Sequence, residues 1–229
     1  MSRADLGKDP NEVSAMFDGV AKRYDIINDL LSLGRTKAWR KVATKIIGPK
    51  SGMKILDIAA GTGSSSRPLR DAGADVIPLD FSKGMLDAGR KRNPDLPFTQ
   101  GDALNLPFKE NEFDVTTISF GLRNTSDTLK ALREALRVTK PGGRIVVVEF
   151  SHPTNKIFRK IYMRYLIRAL PKIAKVTSSN PAAYVYLAES ILAWPNQSDL
   201  ADLMKQAGWS RVEWKNATFG ITAIHIGYK

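Results

Sequence analysis

The sequence contains no cysteine and only two histidines among its 229 residues. Without cysteine the chain cannot form disulfides, bind metals through thiolates or use a cysteine nucleophile, and we expect no metal site. No apolar run approaches the roughly 18 residues that a membrane-spanning helix requires. The opening residues, MSRADLGKDPNE, lack the apolar core of a signal peptide and carry acids that a mitochondrial transit peptide avoids. These absences predict a cytoplasmic protein without a transmembrane helix.

Acidic residues are scarce relative to basic ones. The chain has 35 lysines and arginines against 23 aspartates and glutamates, which gives a net charge of +12. Such an excess favours an anionic partner, which can be nucleic acid, a membrane surface or an acidic substrate, whereas a solvated basic surface needs no partner. Much of the excess lies in residues 156–175, KIFRKIYMRYLIRALPKIAK, which contain seven basic residues and no acid.

This basic segment, residues 156–175, has the pattern of an amphipathic helix. Its basic and apolar residues each recur every four positions, the basic ones at Lys156, Lys160, Arg164 and Arg168 and the apolar ones at Ile157, Ile161 and Tyr165. Such a helix is typical of one that lies on an anionic membrane, where each basic residue contributes about 1 kcal/mol at most. The alternative is an apolar face packed on the protein core with a solvated basic rim.

Strand and helix patterns alternate through the middle of the chain. Two helical patterns, near 11–24 and 36–47, come first. The strand patterns are MKILDIA, DVIPLD, PFTQ, FDVTTISF and IVVVEF, with helical patterns near 64–72, 82–92 and 126–138 among them and the turn KPGGR before the last strand. This order predicts an α/β fold with a doubly wound, mostly parallel sheet, which binds ligands at the carboxyl ends of its strands. The closing segments SRVEWKNA and TAIHIGYK are predicted to pair as antiparallel strands.

A glycine-rich turn follows the first strand in LDIAAGTGSSS. Gly61 and Gly63 allow positive φ and let the backbone approach a ligand, although a tight strand-to-helix turn needs glycine in any case. Asp80 ends the next strand, 17 residues after Gly63, where an acid can accept hydrogen bonds from both hydroxyls of a ribose. The alternative is that Asp80 caps the following helix. A dinucleotide fingerprint would place a third glycine where this chain has Ser66, which counts against a nicotinamide cofactor.

A second acid follows the third strand pattern, in GDALNLPF. There Asp102 can accept a hydrogen bond from an adenine amino group while the backbone amide of Ala103 donates to the ring. Asp102 can also be an ordinary aspartate of a surface loop. The glycine turn, the ribose acid and the adenine acid lie at the ends of three successive strands. This combination resembles class I S-adenosylmethionine-dependent methyltransferases and predicts S-adenosylmethionine as the methyl donor.

Longer motifs extend the similarity over nearly the whole chain. FDGVAKRYDIINDLLSLG, AAGTG, ISFGLRN, VTKPGGR, EFSHP, YLAESI and TAIHIGYK occur in this order. With them the sequence resembles the demethylmenaquinone methyltransferase and ubiquinone-biosynthesis C-methyltransferase family. FGLRN and YLAESI are specific to this family, whereas the glycine turn is common to methyltransferases at large. The resemblance implies a Rossmann-like class I methyltransferase fold, with a seven-stranded, mostly parallel sheet and an antiparallel C-terminal strand.

The resemblance also implies a reaction, in which a methyl group moves from S-adenosylmethionine to a ring carbon of a polyprenylated quinol. The turn AAGTGSSS and the N-terminus tilt the expectation toward demethylmenaquinol, with the benzoquinol of ubiquinone synthesis as the alternative. Many family members carry an aspartate directly after GTG, where this chain has Ser64. The residues that match the family's cofactor contacts by position are Thr62, Asp80, Asp102, Ala103 and Ser119.

We expect one domain, because 229 residues can bury a large core but are few for two independent domains. Its predicted parts are an N-terminal helical cap at 1–50 and a cofactor-binding core at 51–150. A helical insertion at 151–195 is assigned to substrate and membrane, and a helix and strands at 196–229 close the domain. With the basic segment on lipid, the protein is expected on the inner face of the cytoplasmic membrane.

The implied chemistry requires a quinolate, because an aromatic carbon is a poor nucleophile until a ring hydroxyl loses its proton. Arg123, which follows the fourth strand in SFGLRN, is the candidate cation that stabilises this anion or orients a water. Alternatively, Arg123 pairs with Asp127, four residues further along. Asn124 is a candidate substrate contact and equally a candidate N-cap for the next helix.

His152 follows the fifth strand in EFSHP, at the carboxyl end of the sheet. A histidine side chain can act as a catalytic base near neutral pH, although a histidine before proline is also typical of a simple loop. His225 lies within an alternating strand near the C-terminus and is expected to be structural.

Three tyrosines are candidates for contact with the substrate. Tyr24 ends the first helical pattern, in a segment that the resemblance places over the cofactor, although packing in the core would explain it as well. Tyr184 and Tyr186 belong to a helical pattern with Pro181 at its first position, and one of the two is expected to face the quinol.

Two other classes of protein compete with a quinol C-methyltransferase. A nucleic-acid methyltransferase would also use a basic surface, but it is expected to show aromatic stacking platforms and an NPPY-type loop or a cysteine nucleophile. A non-catalytic quinone-binding or membrane adaptor would bind the cofactor without turnover. We expect the enzyme, with a polyprenylated quinol and an anionic membrane as its partners and no nucleic acid.

Overall fold

The computed structural model describes residues 7–18, 34–169 and 181–229. The strands are β1 (Lys54–Ile58), β2 (Asp75–Asp80), β3 (Thr99–Gln100), β4 (Phe113–Ser119), β5 (Thr139–Phe150), β6 (Ser210–Ala217) and β7 (Thr222–Tyr228). The α-helices are α1 (Pro10–Asp18), α2 (Arg35–Ile47), α3 (Ser66–Asp71), α4 (Lys83–Arg92), α5 (Thr128–Val138), α6 (Lys156–Arg164), α7 (Pro181–Ala193) and α8 (Gln197–Gln206). Shorter turns are a π-helical one at Tyr165–Ala169 and two 3₁₀ ones at Leu122–Asn124 and Thr218–Gly220.

The seven strands form one sheet in the order β3-β2-β1-β4-β5-β7-β6. Strands β1 to β5 are parallel, and β7 lies antiparallel between β5 and β6. This order confirms the predicted doubly wound, mostly parallel sheet and the antiparallel pairing of the closing strands. The strand order changes direction between β1 and β4, and such a switch point opens a crevice at the carboxyl ends of the strands.

Helices cover both faces of the sheet, and the central strands therefore read as nearly continuous apolar runs. Helices α5 and α8 pack on one face in a core that includes Trp209. Helices α2 and α3 pack on the other face in a core that includes Trp39. Strand β5 contributes Val147 to the first core and Val146 to the second, because neighbouring side chains of a strand point to opposite faces.

Two element boundaries differ from the sequence predictions. The segment KPGGR, predicted as a turn before β5, lies inside that strand as an irregularity, where the pairing passes from Phe113 with Thr139 directly to Val115 with Arg144. The weak third strand is only two residues long. Helix α1 is described as far as Asp18, and the rest of the predicted helix at 11–24 lies outside the described residues.

The basic segment is helical over its described part, and 170–175 lie outside that part. Two residues of the predicted apolar stripe, Ile157 and Ile161, are 76% and 61% exposed, whereas the third, Tyr165, packs against the protein. A second stripe packs beside Tyr165. Tyr162 lies against buried Leu166, Ala188 and Ile191. Two apolar stripes on one helix allow it to contact the protein and still present isoleucines to its surroundings.

Candidate active site

A cavity of about 950 Å³ opens at the carboxyl edge of the sheet. The ends of β1, β2 and β4 line it from below, and α1, α2, α6 and α7 surround it. Small-molecule sites in proteins typically measure about 300–1,000 Å³. The polar end of the cavity comprises Gly61, Thr62, Asp80, Asp102 and Ala103. The aromatic end comprises Trp39, Phe120, Arg123, Phe150 and Tyr162.

Asp80 is held in place by backbone donors from both sides. Gly61 N–H donates to its Oδ2 at 2.8 Å, and Ser82 N–H donates to its Oδ1 at 2.8 Å. The predicted alternative, that Asp80 caps the next helix, is wrong, because Ser82 is the N-cap and accepts from Met85 N–H. Burial raises the pKa of Asp80, and nearby Asp18 adds to the rise against the backbone donors. The carboxylate is thus oriented toward the cavity with acceptor capacity left on both oxygens.

Gly61 and Gly63, the two glycines of the turn after β1, have different surroundings. Gly61 has φ +57° and lines the cavity, and a Cβ there would lie 3.0 Å from the methyl group of Met85. Gly63 has φ +80°, and a Cβ there would lie 2.7 Å from the ring of Phe98. Gly63 is not among the residues that line the cavity. It makes room for packing between the turn and the Phe98 side chain, and its predicted role toward a cofactor stays a prediction.

The other predicted cofactor residues meet at the same edge of the sheet. Asp102 Oδ1 accepts from Leu104 N–H at 2.9 Å, which fixes the loop after β3. Ala103 and Thr62 line the cavity beside it, and Ser119 lines it at the end of β4. The structure thus brings together side chains from the ends of four strands. Their contact with a cofactor stays a prediction that this convergence supports.

Asp57 lies beneath the glycine turn, fully buried within β1. Ser66 Oγ–H donates to its Oδ2 at 2.6 Å, whereas its Oδ1 has no hydrogen-bond partner in the described part of the chain. Burial raises the pKa of Asp57 to about 7, a rise that Ser66 and Arg40 oppose and Asp80 reinforces. The sequence reasoning missed this residue, although an acid inside the apolar strand KILDI is a visible signal.

Arg123 is buried, and its guanidinium forms an ion pair with Glu149 at 2.9 Å between Nη1 and Oε1. Nη1 also donates to the Phe120 carbonyl at 2.5 Å, and Nε donates to Ser190 Oγ at 3.4 Å. The predicted alternative pairing with Asp127 is wrong, since Asp127 caps α5 by accepting from Lys130 N–H. Within the residues that the structure describes, Nη2 is left without a hydrogen bond, and Arg123 lines the cavity.

Glu149 is the partner that the sequence reasoning missed. It follows three valines in the run VVVEF of β5 and is 1% exposed. Ser119 of β4 pairs with Val148 of β5, so the next residues, Phe120 and Glu149, lie side by side at the end of the sheet. Glu149 Oε1 also accepts from Phe150 N–H at 2.8 Å, and Glu149 Oε2 accepts from Arg123 N–H at 3.2 Å. An acid at the end of a central apolar strand, next to the strand that leads to Arg123, was the available signal.

Asn124 lines the cavity and contacts the helix that carries the predicted tyrosines. Tyr186 O–H donates to Asn124 Oδ1 at 3.3 Å. The predicted alternative, that Asn124 is the N-cap of α5, is wrong because Asp127 has that position. Tyr184 and Tyr186 are both buried and both line the cavity. Tyr186 is therefore the tyrosine that the structure joins to the loop of Arg123.

Aromatic rings surround the Arg123 guanidinium. Its Cζ lies 5.2 Å from the centre of the Phe150 ring, and Phe150 packs on Phe120 and Trp39 at ring-centre distances of 5.1 and 6.1 Å. Burial raises the pKa of the Tyr162 phenol well above its ordinary value, so this hydroxyl stays protonated at neutral pH. The aromatic end can therefore hold a flat apolar ring and donate hydrogen bonds to its oxygens.

His152 is not brought to the cavity. It is absent from the lining residues, and its carbonyl accepts from Gln197 Nε2 at 2.9 Å. Its role as a base stays a prediction. His225 is buried in β7, where a ring nitrogen contacts the Gln197 carbonyl at 2.8 Å. Tyr24 lies outside the described residues, and its predicted contact with substrate stays a prediction too.

Helix α1 covers the cavity from the N-terminal side. Its Val13 and Met16 pack on Tyr186 of α7. Asp18, at its last described position, accepts from Ser82 Oγ–H at 2.5 Å and from Gly84 N–H at 2.8 Å. A Cβ at Gly84 would lie 2.7 Å from Asp18 Oδ1, so glycine makes this approach possible. The cover is thus joined to the start of α4, next to Asp80.

Residues 7–18, 34–169 and 181–229 contain no cluster of three histidine, aspartate or glutamate side chains that could hold a metal ion. Over the same ranges, no helix has both the length and the apolar character needed to cross a bilayer.

Known proteins resemble this chain over its whole length. The family described as "ubiE/COQ5 methyltransferase family" matches residues 5–229. A demethylmenaquinone methyltransferase of Streptomyces avermitilis is 58% identical over 229 residues, which are 100% of this chain and 99% of that protein. One of Renibacterium salmoninarum is 57% identical, over 100% of this chain and 97% of that protein.

Solved structures share the fold at low sequence identity. A methyltransferase of Thermotoga maritima, described as a possible histamine N-methyltransferase, has a TM-score of 0.68 at 21% identity, covering 93% of this chain and 98% of that one. Phosphoethanolamine N-methyltransferase 2 of Haemonchus contortus, in complex with S-adenosyl-L-methionine, has a TM-score of 0.57 at 23% identity, covering 78% and 38%. These structures confirm the class I methyltransferase fold, and the full-length match to the family shows that the chain belongs to the ubiE/COQ5 methyltransferase family.

Proposed function

We propose that this protein transfers a methyl group from S-adenosylmethionine to a ring carbon of demethylmenaquinol, which yields menaquinol. The observation that carries the proposal is a single cavity that joins a polar end suited to a nucleoside with an aromatic end that contains a buried arginine. The full-length similarity to proteins named demethylmenaquinone methyltransferase supports this choice of acceptor.

The polar end fits the methyl donor. Asp80 would accept from the ribose hydroxyls, since backbone amides already hold its carboxylate in one orientation. Asp102 would accept from the adenine amino group, and the Ala103 amide would donate to the ring. When bound, S-adenosylmethionine supplies an electrophilic methyl group on a sulfonium. Gly61 would present bare backbone to the methyl donor, because it lines the cavity and a side chain there would meet Met85.

The aromatic end fits the acceptor ring. Phe120, Phe150 and Trp39 offer apolar surfaces for a flat ring. Arg123 would donate from Nη2 to a ring oxygen and so favour the quinolate over the quinol. Because Glu149 balances the charge of Arg123, the arginine acts by an oriented hydrogen bond rather than by an uncompensated positive field. Neither residue is suited to remove the proton, which leaves a water beside Asn124 and Tyr186 as the proposed acceptor.

The basic segment supplies the contact with the membrane in this proposal. Its described basic residues, Lys156, Arg159, Lys160, Arg164 and Arg168, are exposed. Phe158, Ile161 and Tyr165 of the same segment line the cavity. A polyprenylated quinol resides in the bilayer, and a segment that both binds anionic lipid and borders the cavity would bring the ring to the site. The protein would then be peripheral, on the inner face of the cytoplasmic membrane.

The proposed reaction is tested by methyl transfer from labelled S-adenosylmethionine. The protein is incubated without oxygen with a reduced short-chain demethylmenaquinol, the matching benzoquinol of ubiquinone synthesis, or RNA. Label is expected in the demethylmenaquinol ring. Preferential labelling of the benzoquinol would move the protein to the ubiquinone branch, and label in RNA, or none in either quinol, would refute the proposal.

A further inference from the structure

An exposed apolar group lies beside the basic segment. Ile157, Ile161 and Phe219 are 76%, 61% and 76% exposed. Phe219 belongs to the 3₁₀ turn between β6 and β7, and its ring packs edge-on against Phe158 of α6, with ring centres 5.5 Å apart. Phe219 thus lies beside α6, the helix that carries the two exposed isoleucines. We call Ile157, Ile161 and Phe219 the apolar wedge.

The turn that carries Phe219 has a strained backbone. Thr218 has φ +48° and Phe219 has φ +57°, and neither is glycine. The left-handed region costs about 1–2 kcal/mol for each residue with a side chain, and a β-branched threonine is a particular outlier there. Burial of the phenylalanine does not offset this cost, because its side chain is largely exposed. The strain therefore calls for a different explanation from packing.

Hydrogen bonds from Trp39, Thr154 and Ile221 hold the strained turn. Trp39 Nε1–H of α2 donates to Thr218 Oγ1 at 2.9 Å. Ile221 N–H donates to the Thr218 carbonyl at 3.1 Å, and Thr154 N–H donates to the Phe219 carbonyl at 3.3 Å. Strained residues persist only where their surroundings determine them in this way, and they concentrate at functional sites.

The wedge adjoins both positive charge and the mouth of the cavity. Exposed Lys156, Lys160 and Arg164 lie on the same helix as its two isoleucines. Thr218 and Ile161 also line the cavity. An exposed apolar patch next to several cations is the arrangement that suits an anionic lipid surface, since the cations meet phosphates while the apolar side chains enter the acyl boundary.

We propose that the apolar wedge inserts into an anionic bilayer and places the mouth of the cavity, between α6 and the 218–220 turn, at the acyl boundary. The prenyl tail of the acceptor then remains in lipid while its ring enters the cavity. This inference rests on the proposed function for its substrate, and it adds Phe219 as the residue on which membrane insertion depends.

Flotation with vesicles of phosphatidylglycerol and phosphatidylcholine tests the wedge. Phe219→Ser is expected to weaken vesicle binding by roughly ten- to a hundred-fold, as follows from removing one inserted aromatic side chain. Phe219→Trp is expected to retain it, because tryptophan suits the membrane interface. The matched control is Val42→Ser on basic helix α2, where Val42 is 44% exposed and binding should not change.

Phe219→Gly separates insertion from a structural role. Glycine adopts positive φ without strain, so the melting temperature should be unchanged or higher while vesicle binding falls as for Phe219→Ser. A lower melting temperature with intact vesicle binding would overturn the wedge. So would equal binding of wild type and Phe219→Ser.

A comparison of two substrates distinguishes this inference from the proposed function. Phe219→Ser should keep wild-type activity on a short-tailed quinol in solution, since Phe219 is not among the cavity-lining residues, and lose activity on a long-tailed quinol in vesicles. Wild type that methylates neither quinol would refute the proposed function and leave the vesicle binding as a separate measure of the wedge. Equal activity of variant and wild type on the vesicle-borne quinol would overturn the wedge.

Discussion

The two ends of the cavity are built in different ways. The polar end comes from short segments that directly follow β1, β2 and β3, and backbone amides hold its key carboxylate. The aromatic end comes from α2, β4, β5, α6 and α7, and its key cation is held by side chains far away in sequence, Glu149 and Ser190. The polar end is thus formed by local segments, whereas the aromatic end depends on contacts across the whole fold. Substitutions should therefore affect the two ends differently.

The sharpest test of this difference is the Arg123–Glu149 pair. Arg123→Met should cost about 3–5 kcal/mol of unfolding free energy, because it leaves Glu149 buried without its partner. Methyl transfer should fall by roughly 10²–10³-fold, the usual cost of one donor to a developing oxyanion. Denaturant unfolding and the labelled-methyl assay measure the two effects.

The double variant Arg123→Met/Glu149→Gln is the control for this experiment. It buries no unpaired charge, so most of the stability should return while methyl transfer stays low and affinity for S-adenosylmethionine stays near wild type. Recovery of activity in the double variant would show that Arg123 serves only the packing of the aromatic end.

Asp57 tests the polar end through the pH dependence of stability. Its folded-state pKa of about 7 lies above the ordinary 3.8, so its protonated form stabilises the fold at low pH. This contribution is lost as the pH rises from about 4 to 7. Asp57→Asn should therefore match wild type near pH 4 and exceed it at pH 8 by at most about 4 kcal/mol. Denaturant unfolding at several pH values measures the difference, and parallel curves would contradict the raised pKa.

Asp80 tests whether the polar end recognises a nucleoside. Asp80→Asn keeps an acceptor for one backbone amide but loses the charge that strengthens bonds to ribose hydroxyls. Calorimetry should show S-adenosylmethionine binding weakened about tenfold or more. Asp75→Asn, at the exposed start of the same strand, is the control. Equal affinity of Asp80→Asn and wild type would remove Asp80 from the binding site.

The smallest effect is expected for helix α1, whose Asp18 side chain contacts the segment that follows Asp80. Asp18→Ala removes the acceptor for Ser82 and Gly84, which is worth about 1 kcal/mol for a capping interaction. Gly84→Ala should act alike, because its Cβ would occupy the place of the carboxylate. Asp18→Ala and Gly84→Ala should both speed amide hydrogen exchange in residues 10–18 of α1. The control Asp87→Ala, on α4 like Gly84, should not. Unchanged exchange in both variants would show that α1 is held by Val13 and Met16 alone.

The polar end could be predicted from the sequence because its signals are local. Gly61, Asp80 and Asp102 each follow a recognisable strand, and the parallel sheet brings the ends of such strands together. The aromatic end was predicted only in part. Arg123 was found through its motif, but Glu149 and the contact between Asn124 and Tyr186 depend on pairing of β4 with β5 and on docking of α7, which no local pattern specifies.

The basic segment shows a further limit of periodicity. The spacing of Ile157 and Ile161 correctly indicated an amphipathic helix, yet the side that packs is the one with Tyr162 and Leu166. A helix with two apolar stripes has two possible orientations, and tertiary contacts select between them. The position of Phe219 beside α6 also depends on tertiary contacts, because its neighbour Phe158 lies about sixty residues earlier in the chain. No local pattern predicts it.

Ala59 in the turn after β1 and Gly121 in the turn after β4 lie in direct contact at the edge of the sheet that borders the cavity. A Cβ on Gly121 would collide with the methyl group of Ala59, so the turn after β1 and the turn after β4 touch without any intervening side chain. Neighbouring strands lie about 4.8 Å apart, and the two turns inherit this spacing. The separation between the turn at Gly61 and the turn that leads to Arg123 is therefore set by the sheet itself, and it does not depend on the length and sequence of the loops that cover the cavity.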